Sequence, residues 1–268
     1  FISLNSYALD RIALVIGNSD YQIKPLKNPI NDAKDIAASL EKLGFEVQLV
    51  ENADKIKMEK AMREFSLQIQ DSITNLFFYA GHAVQLNTKN YLLPINSLKA
   101  IKKDLGSLSN YDQIQRFQKK AISTDLLTNL IEAGNSEQNF IFLDACRDNP
   151  IPGNTLEGLS EMILGAKGTL ISYSTSPGKL ASDGKGRNSP YTKQLLKFIK
   201  TPNKPIESML KDVALAVELE TNGEQLPWVA TNLTSNFCFN DVDGGCANVF
   251  MPFPGHFLDG LPNLKVKD

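Results

Sequence analysis

The chain has 268 residues, 42% of them hydrophobic and 22% charged, which excludes disordered and fibrous classes and allows one large α/β domain. Its 28 basic and 30 acidic side chains leave a net charge of -2, so no overall field recruits nucleic acid or an anionic membrane. No apolar run approaches the roughly 20 residues that span a bilayer; a soluble protein is expected, cytoplasmic or exported, since Phe1 is not a methionine and a targeting segment could precede it.

In chain order, Arg11 to Ile16 reads as a short buried strand ending at Gly17-Asn18. Asn28-Pro29 opens a helix with an Ala33, Ile36, Leu40, Leu43 stripe, closed by Gly44. A strand over Glu46 to Val50 and a helix with Met58, Met62, Phe65 and Ile69 follow, then a strand over Thr74 to Tyr79. Residues 96 to 121 are polar, Lys-rich and without clear period, and read as an insertion or mobile loop. Ser123 caps a helix with Leu126, Leu127, Leu130 and Ile131 on its buried side. Strands over Asn139 to Leu143 and Thr169 to Ser174 flank a Pro/Gly-containing connection at 147 to 168. Helices over Tyr191 to Lys200 and Ile206 to Leu219 lead to a sixth strand at Trp228 to Asn232.

Six strands alternating with five helices imply right-handed crossovers and a mostly parallel sheet with helices on both faces, a three-layer α/β fold. Three cysteines are too few for a disulfide scaffold, and none has zinc-site spacing. Cys238 and Cys246 are near enough to bridge in an exported protein, whereas Cys238, between Phe237 and Phe239, suits a reduced core equally well. From Asn240 onward the chain is rich in Gly and Pro and shows no packing pattern.

In an open parallel sheet, ligands gather beyond the carboxyl ends of the strands. The third strand runs into Ala80-Gly81-His82-Ala83 and the fourth into Asp144-Ala145-Cys146-Arg147-Asp148. On neighbouring strands, His82 and Cys146 meet at one rim, where an imidazole can take the thiol proton and create the nucleophilic thiolate. A lone cysteine after a strand is more often inert core, and a lone histidine more often a surface or satisfied core residue. Here one of only two histidines, flanked by small residues, and a cysteine followed by Arg-Asp share one sheet edge. His256, in the tail, is expected to be solvated.

The chain resembles the caspase, metacaspase and paracaspase superfamily, and is most similar to bacterial caspase-domain proteins and the paracaspase branch. The segments ALVIGNSDY, LKNPINDA, FFYAGHAVQ with NYLLP, FLDACRDNP and YSTSPGKLASDGKGRNSPYTKQLL carry this likeness in order over about residues 10 to 238. It implies a cysteine endopeptidase with His82 as general base and Cys146 as nucleophile in a dyad, and the backbone N–H groups of Ala83 and Cys146 as oxyanion hole. Many relatives have His-Gly where this chain has His82-Ala83. The resemblance also divides the chain: a large-subunit-like part at about 10–149, a connection at about 150–168, a small-subunit-like part at about 169–239, within a peptidase domain 1–239, and a tail 240–268. Monomer or dimer is left open.

Caspases cut after aspartate, with a Gln-Ala-Cys-Arg-Gly nucleophile signature. This chain has Asp144 in place of the glutamine. Alignment puts Asp183 where caspases carry a pocket arginine, the uncharged Leu26 near the position of the other, and Asp32 on an acidic residue of basic-specific relatives. Three carboxylates in place of two cations invert the pocket, which then prefers arginine, and lysine less, before the scissile bond. Plainer roles are a place in the first helical turn for Asp32 and loop hydrogen bonding for Asp183. Residues Lys179 to Asp183 are expected to pair with the substrate backbone.

Candidate self-cleavage positions are Lys102, Lys103, Arg116, Lys119, Lys120, Arg147 and Lys167. No cofactor or metal is expected: Asp241 and Asp243 lack the spacing of a calcium loop. Two other readings compete. One is a catalytically silent caspase-like scaffold or interaction module. The other is a nucleotide-binding domain, weakened by the lack of a glycine-rich phosphate motif after Gly17.

Overall fold

The protein is described here by a computed structural model over residues 11–86, 89–98, 110–134, 136–146, 159–162 and 164–246. Its elements are β1 (Arg11–Gly17), α1 (Pro29–Lys42), β2 (Glu46–Glu51), α2 (Lys55–Gln68), β3 (Thr74–Leu86), β4 (Lys89–Leu92), α3 (Asn110–Lys120), β5 (Ile122–Ser123), α4 (Thr124–Glu132), β6 (Gln138–Cys146), β7 (Thr169–Tyr173), α5 (Pro190–Phe198), α6 (Ile206–Glu220) and β8 (Trp228–Thr231).

The main sheet runs β2-β1-β3-β6-β7-β8, with every neighbouring pair parallel except β7 and β8. Its strands are continuously apolar because both faces are covered. On one face Leu14, Phe77, Tyr79, Ile141 and Leu143 meet Met58, Met62 and Phe65 of α2 and Leu127 and Ile131 of α4. On the other, Val15, Leu76, Phe78, Phe140 and Phe142 meet Ile36 and Leu40 of α1, Leu195 of α5, and Met209 and Val213 of α6. Successive residues of one strand thus alternate between two apolar layers, and the fold is the expected three-layer α/β architecture.

Three local expectations are corrected. The stretch at 96 to 121 contains helix α3, held by Phe117, which is buried edge-on against Tyr91 at 5.4 Å; its few apolar residues hid the helix in a polar sequence. Strand β3 runs seven residues past Tyr79, through Gly81 and His82, and its extension pairs with β4, which pairs with β5. Buried Tyr21, Val84, Tyr91 and Leu93 form a third apolar cluster under this extension. Asn28 precedes α1 but gives it no side-chain cap; its Nδ2 donates to the carbonyl of Asp183 at 2.5 Å instead.

Asp54, Ser123 and Ser189 do cap α2, α4 and α5, accepting from Lys57, Asp125 and Thr192 amides. Cys238 and Cys246 are joined by a disulfide, which by loop length stabilises the fold by about 2–3 kcal/mol. Of the segment set apart as a tail, residues 240 to 246 are attached to the body: Asn203 N–H donates to the Asn240 carbonyl at 2.8 Å, and Asn240 Nδ2 donates to Lys200. Among the self-cleavage candidates, Arg116, Lys119 and Lys120 fall on α3, Lys167 is exposed before β7, and Lys102, Lys103 and Arg147 lie outside the described residues, as does His256.

Candidate active site

Parallel pairing of β3 with β6 sets Ala80 against Asp144, Gly81 against Ala145 and His82 against Cys146. The expected pair therefore lies cross-strand, with backbones about 4.8 Å apart by the spacing of sheets. Neither residue is on a loop; both occupy the carboxyl-terminal extension of a central strand.

His82 is 1% exposed and held on all sides. Its Nε2 is 2.7 Å from the Lys24 carbonyl. A carbonyl can only accept, so Nε2 carries the hydrogen and Nδ1 is the basic nitrogen. The His82 N–H donates to Tyr21 Oη at 2.9 Å, and its carbonyl accepts from Tyr79 Oη at 2.8 Å and from Leu93 N–H at 3.0 Å. Tyr21 also packs its ring against the imidazole, centroids 4.5 Å apart, and donates to the Leu93 carbonyl at 3.0 Å. Burial holds the Tyr79 phenol well above its ordinary pKa, so it stays a donor. Lys24 itself sits in the left-handed region at φ 54°, turning its carbonyl toward the ring.

Gly81 explains how two tyrosines reach the histidine backbone. Its φ is +154°, and a Cβ there would stand 2.7 Å from both Tyr21 Oη and Tyr79 Oη. Ala83 has no positive φ; it is a buried strand residue paired with Leu92, and the unusual backbone lies at Gly81 instead.

The three aspartates come from separate elements and gather at one place. Asp144, 4% exposed, accepts at Oδ2 from the Ser189 hydroxyl and from Thr192 Oγ1 at 2.6 Å. Asp32, 1% exposed, accepts at Oδ1 from the Ser189 N–H at 3.1 Å. Burial pushes the Asp144 carboxyl up to about 6 against the pull of Ser189 and Thr192. Asp32 is pushed up to about 9, by burial first and then by the charge of Asp144. The hydroxyl donors favour charge on Asp144, so Asp32 keeps the proton at neutral pH.

Asp183 differs. Its Oδ2 accepts from Lys27 N–H at 2.7 Å and its Oδ1 from Asn28 N–H at 3.2 Å, so both oxygens fasten its loop to the start of α1. The same loop is tied by Arg187, which grips Asp35 with two bonds of 2.9 Å. A cleft of about 1020 Å³ is lined by Leu26, His82, Lys179, Leu180 and Asp183 among others. Residues 179 to 183 border it without pairing as a strand, and the Ser182 N–H is taken by Gln225 Oε1 at 3.0 Å.

Sequence reasoning did not single out Tyr21, the Lys24 carbonyl, Ser189 or Thr192. Ser189-Pro190 carried a signal, an N-cap followed by proline at the first helical position. Tyr21 and Lys24 carried none, because their roles depend on chain reversals that no local pattern specifies.

Likeness to known proteins extends over most of the chain. The structure superposes on caspase-1 from Spodoptera frugiperda with a TM-score of 0.63, covering 88% of this chain and 92% of that one at 17% identity, a likeness of fold. Over 91 residues the chain is 31% identical to the human mucosa-associated lymphoid tissue lymphoma translocation protein 1 and to its mouse homolog; the match takes in 34% of this chain but 11% of theirs. No described helix is long and apolar enough to cross a membrane. The Caspase domain model matches residues 10–238, and the chain belongs to that family of cysteine peptidases.

Proposed function

We propose that the chain is an endopeptidase that hydrolyses peptide bonds after arginine, and less readily after lysine, through His82 and Cys146. The observation that carries this reading is the strand register that sets His82 against Cys146 two residues beyond Asp144, whose carboxylate meets that of Asp32 at Ser189. With Nε2–H bound to Lys24, Nδ1 of His82 takes the thiol proton of Cys146. The thiolate attacks the substrate carbonyl, forming the S–C bond. The N–H groups of Ala83 and Cys146 hold the resulting oxyanion. Imidazolium then protonates the leaving amine as the C–N bond breaks, and water hydrolyses the thioester.

Asp144 supplies the negative charge of the first pocket, and Asp32, neutral in the empty pocket, adds its own when an entering cation displaces its proton, since an unpaired cation can enter a buried site only where carboxylates meet it. Asp183 adds charge at the cleft wall and shapes the loop, its oxygens being engaged by backbone. An aspartate side chain would face like charges in a poorly solvated site.

Fluorogenic tetrapeptides ending in arginine, lysine or aspartate test the proposal directly. Arginine turnover at least tenfold above lysine, no aspartate turnover, and loss of all activity in Cys146→Ala are expected. Equal turnover of all three peptides would overturn the basic-pocket reading, and no turnover by the intact protein would return the chain to the scaffold reading.

A further inference from the structure

Ser189 is the one described residue bonded to both buried carboxylates. Its N–H reaches Oδ1 of Asp32 at 3.1 Å, and its hydroxyl donates to Oδ2 of Asp144. The same hydroxyl accepts from Thr192 N–H at 2.9 Å and so caps α5, fixing the direction in which it donates. Thr192 Oγ1 adds a second bond to the same Asp144 oxygen. Both hydroxyl bonds thus fall on Oδ2 and fix the rotation of the Asp144 carboxylate.

We propose that Ser189, seconded by Thr192, is the positioning residue that makes the pocket choose arginine over lysine. This rests on the basic-pocket reading above. By tying Oδ1 of Asp32 and Oδ2 of Asp144, which come from α1 and β6, it fixes the two carboxyl groups relative to each other as a pair. A guanidinium, planar and with five donors in a fork, bridges such a pair, whereas an ammonium is a point charge that one carboxylate satisfies. Locked carboxylates therefore favour arginine, and freely rotating ones treat both cations alike.

Besides Ser189 and Thr192, the groups facing the two acids are Asp183 from the cleft loop, Ser174 after β7, Asn188 and Arg187 before α5, and Tyr191 on α5. Of these only Arg187 is a cation, and it is already gripped by Asp35.

The test uses Ser189→Gly, which removes the hydroxyl while glycine still serves as an N-cap. Against peptides ending in arginine or lysine, the arginine preference is expected to fall about tenfold, chiefly through the arginine KM, because one charge-assisted bond pattern is lost. Ser189→Thr, which keeps the hydroxyl, restores the preference. Damage that was merely structural would lower both substrates together and leave the ratio unchanged. Should Ser189→Gly fail to fold by circular dichroism, Thr192→Val, which strips the second hydroxyl from Asp144 and leaves the cap, decides in its place. A wild type that prefers arginine, with variants whose preference is unaltered, overturns this proposal alone. A wild type that cleaves no arginine peptide overturns the pocket reading and this proposal together.

Discussion

The seam between β3 and β6 and the acidic pocket beside it are built by different means. At the seam, backbone register places His82 and Cys146, and backbone groups plus two buried phenols hold the histidine. In the pocket, side chains from α1, β6 and the loop before α5 meet across about 45 to 157 residues of sequence, through hydrogen bonds to groups that titrate. Strand register cannot slip without turning every neighbouring side chain to the wrong face. Hydrogen bonds to carboxylates change with every proton. The chemistry should therefore be fixed and the specificity adjustable, in pH and in evolution.

The largest break in this contrast is Gly81→Ala. The added methyl would lie 2.7 Å from two tyrosine hydroxyls on a backbone at φ +154°. Strain and overpacking together cost about 2–4 kcal/mol, and the displaced tyrosines release the His82 backbone. Activity should fall at least a hundredfold toward every substrate, with KM little changed in any protein that folds. A variant with near-normal kcat would show that the phenols do not hold the histidine.

Next comes the proton economy of the pocket. Asp32 and Asp144 both sit above their ordinary value of 3.8, so the folded chain binds more protons than the unfolded one. Stability is then greatest below about pH 4, as far as these groups decide it, and falls as pH rises through about 6 and on toward 9. Melting temperature should drop from pH 5 to pH 9 in wild type. In Asp32→Asn, which keeps an oxygen for the Ser189 N–H, the drop should be smaller and the variant should be the more stable protein at pH 9. Its arginine turnover should fall through KM. Parallel melting profiles for the two proteins would contradict the assignment of the proton to Asp32.

The six strands of the main sheet, five of the helices and the positions of His82 and Cys146 at strand ends were legible because each rests on a local pattern of apolar runs, caps and periodic stripes, whereas the short strands β4 and β5 were not. The acids were legible only through resemblance, since nothing in the spacing of Asp32, Asp144 and Asp183 brings them together. Helix α3 was not legible, as Phe117 is its one described buried side chain. Two readings were open for the cysteines near the end, and eight residues of separation alone cannot choose between a bridge and a core. Tyr21 is the most instructive omission: one residue beyond Asp20 in a surface turn, it becomes a buried prop only because β3 passes beneath it. Tyr21→Phe should keep the ring against His82 yet lose the hydroxyl's bonds, lowering kcat about tenfold at constant KM. Unchanged kcat would reduce Tyr21 to packing.

The smallest expected effect sharpens the contrast most. Arg187 grips Asp35 bidentately, but its side chain is 62% exposed, so solvent screens the pair and it contributes little to stability. Burial of neither partner protects it from salt, whose screening length is about 8 Å at physiological strength. Arg187→Ala should therefore leave the melting temperature nearly unchanged and, by loosening the loop that carries Asp183, raise KM for arginine peptides about threefold at constant kcat. The loop does not come free, since Asp183 still holds the Lys27 and Asn28 amides. High salt should imitate the variant in wild type and add little to the variant itself. A fall in kcat instead of a rise in KM would mean that the cleft wall and the dyad are coupled, and that the division between a rigid seam and an adjustable pocket does not hold.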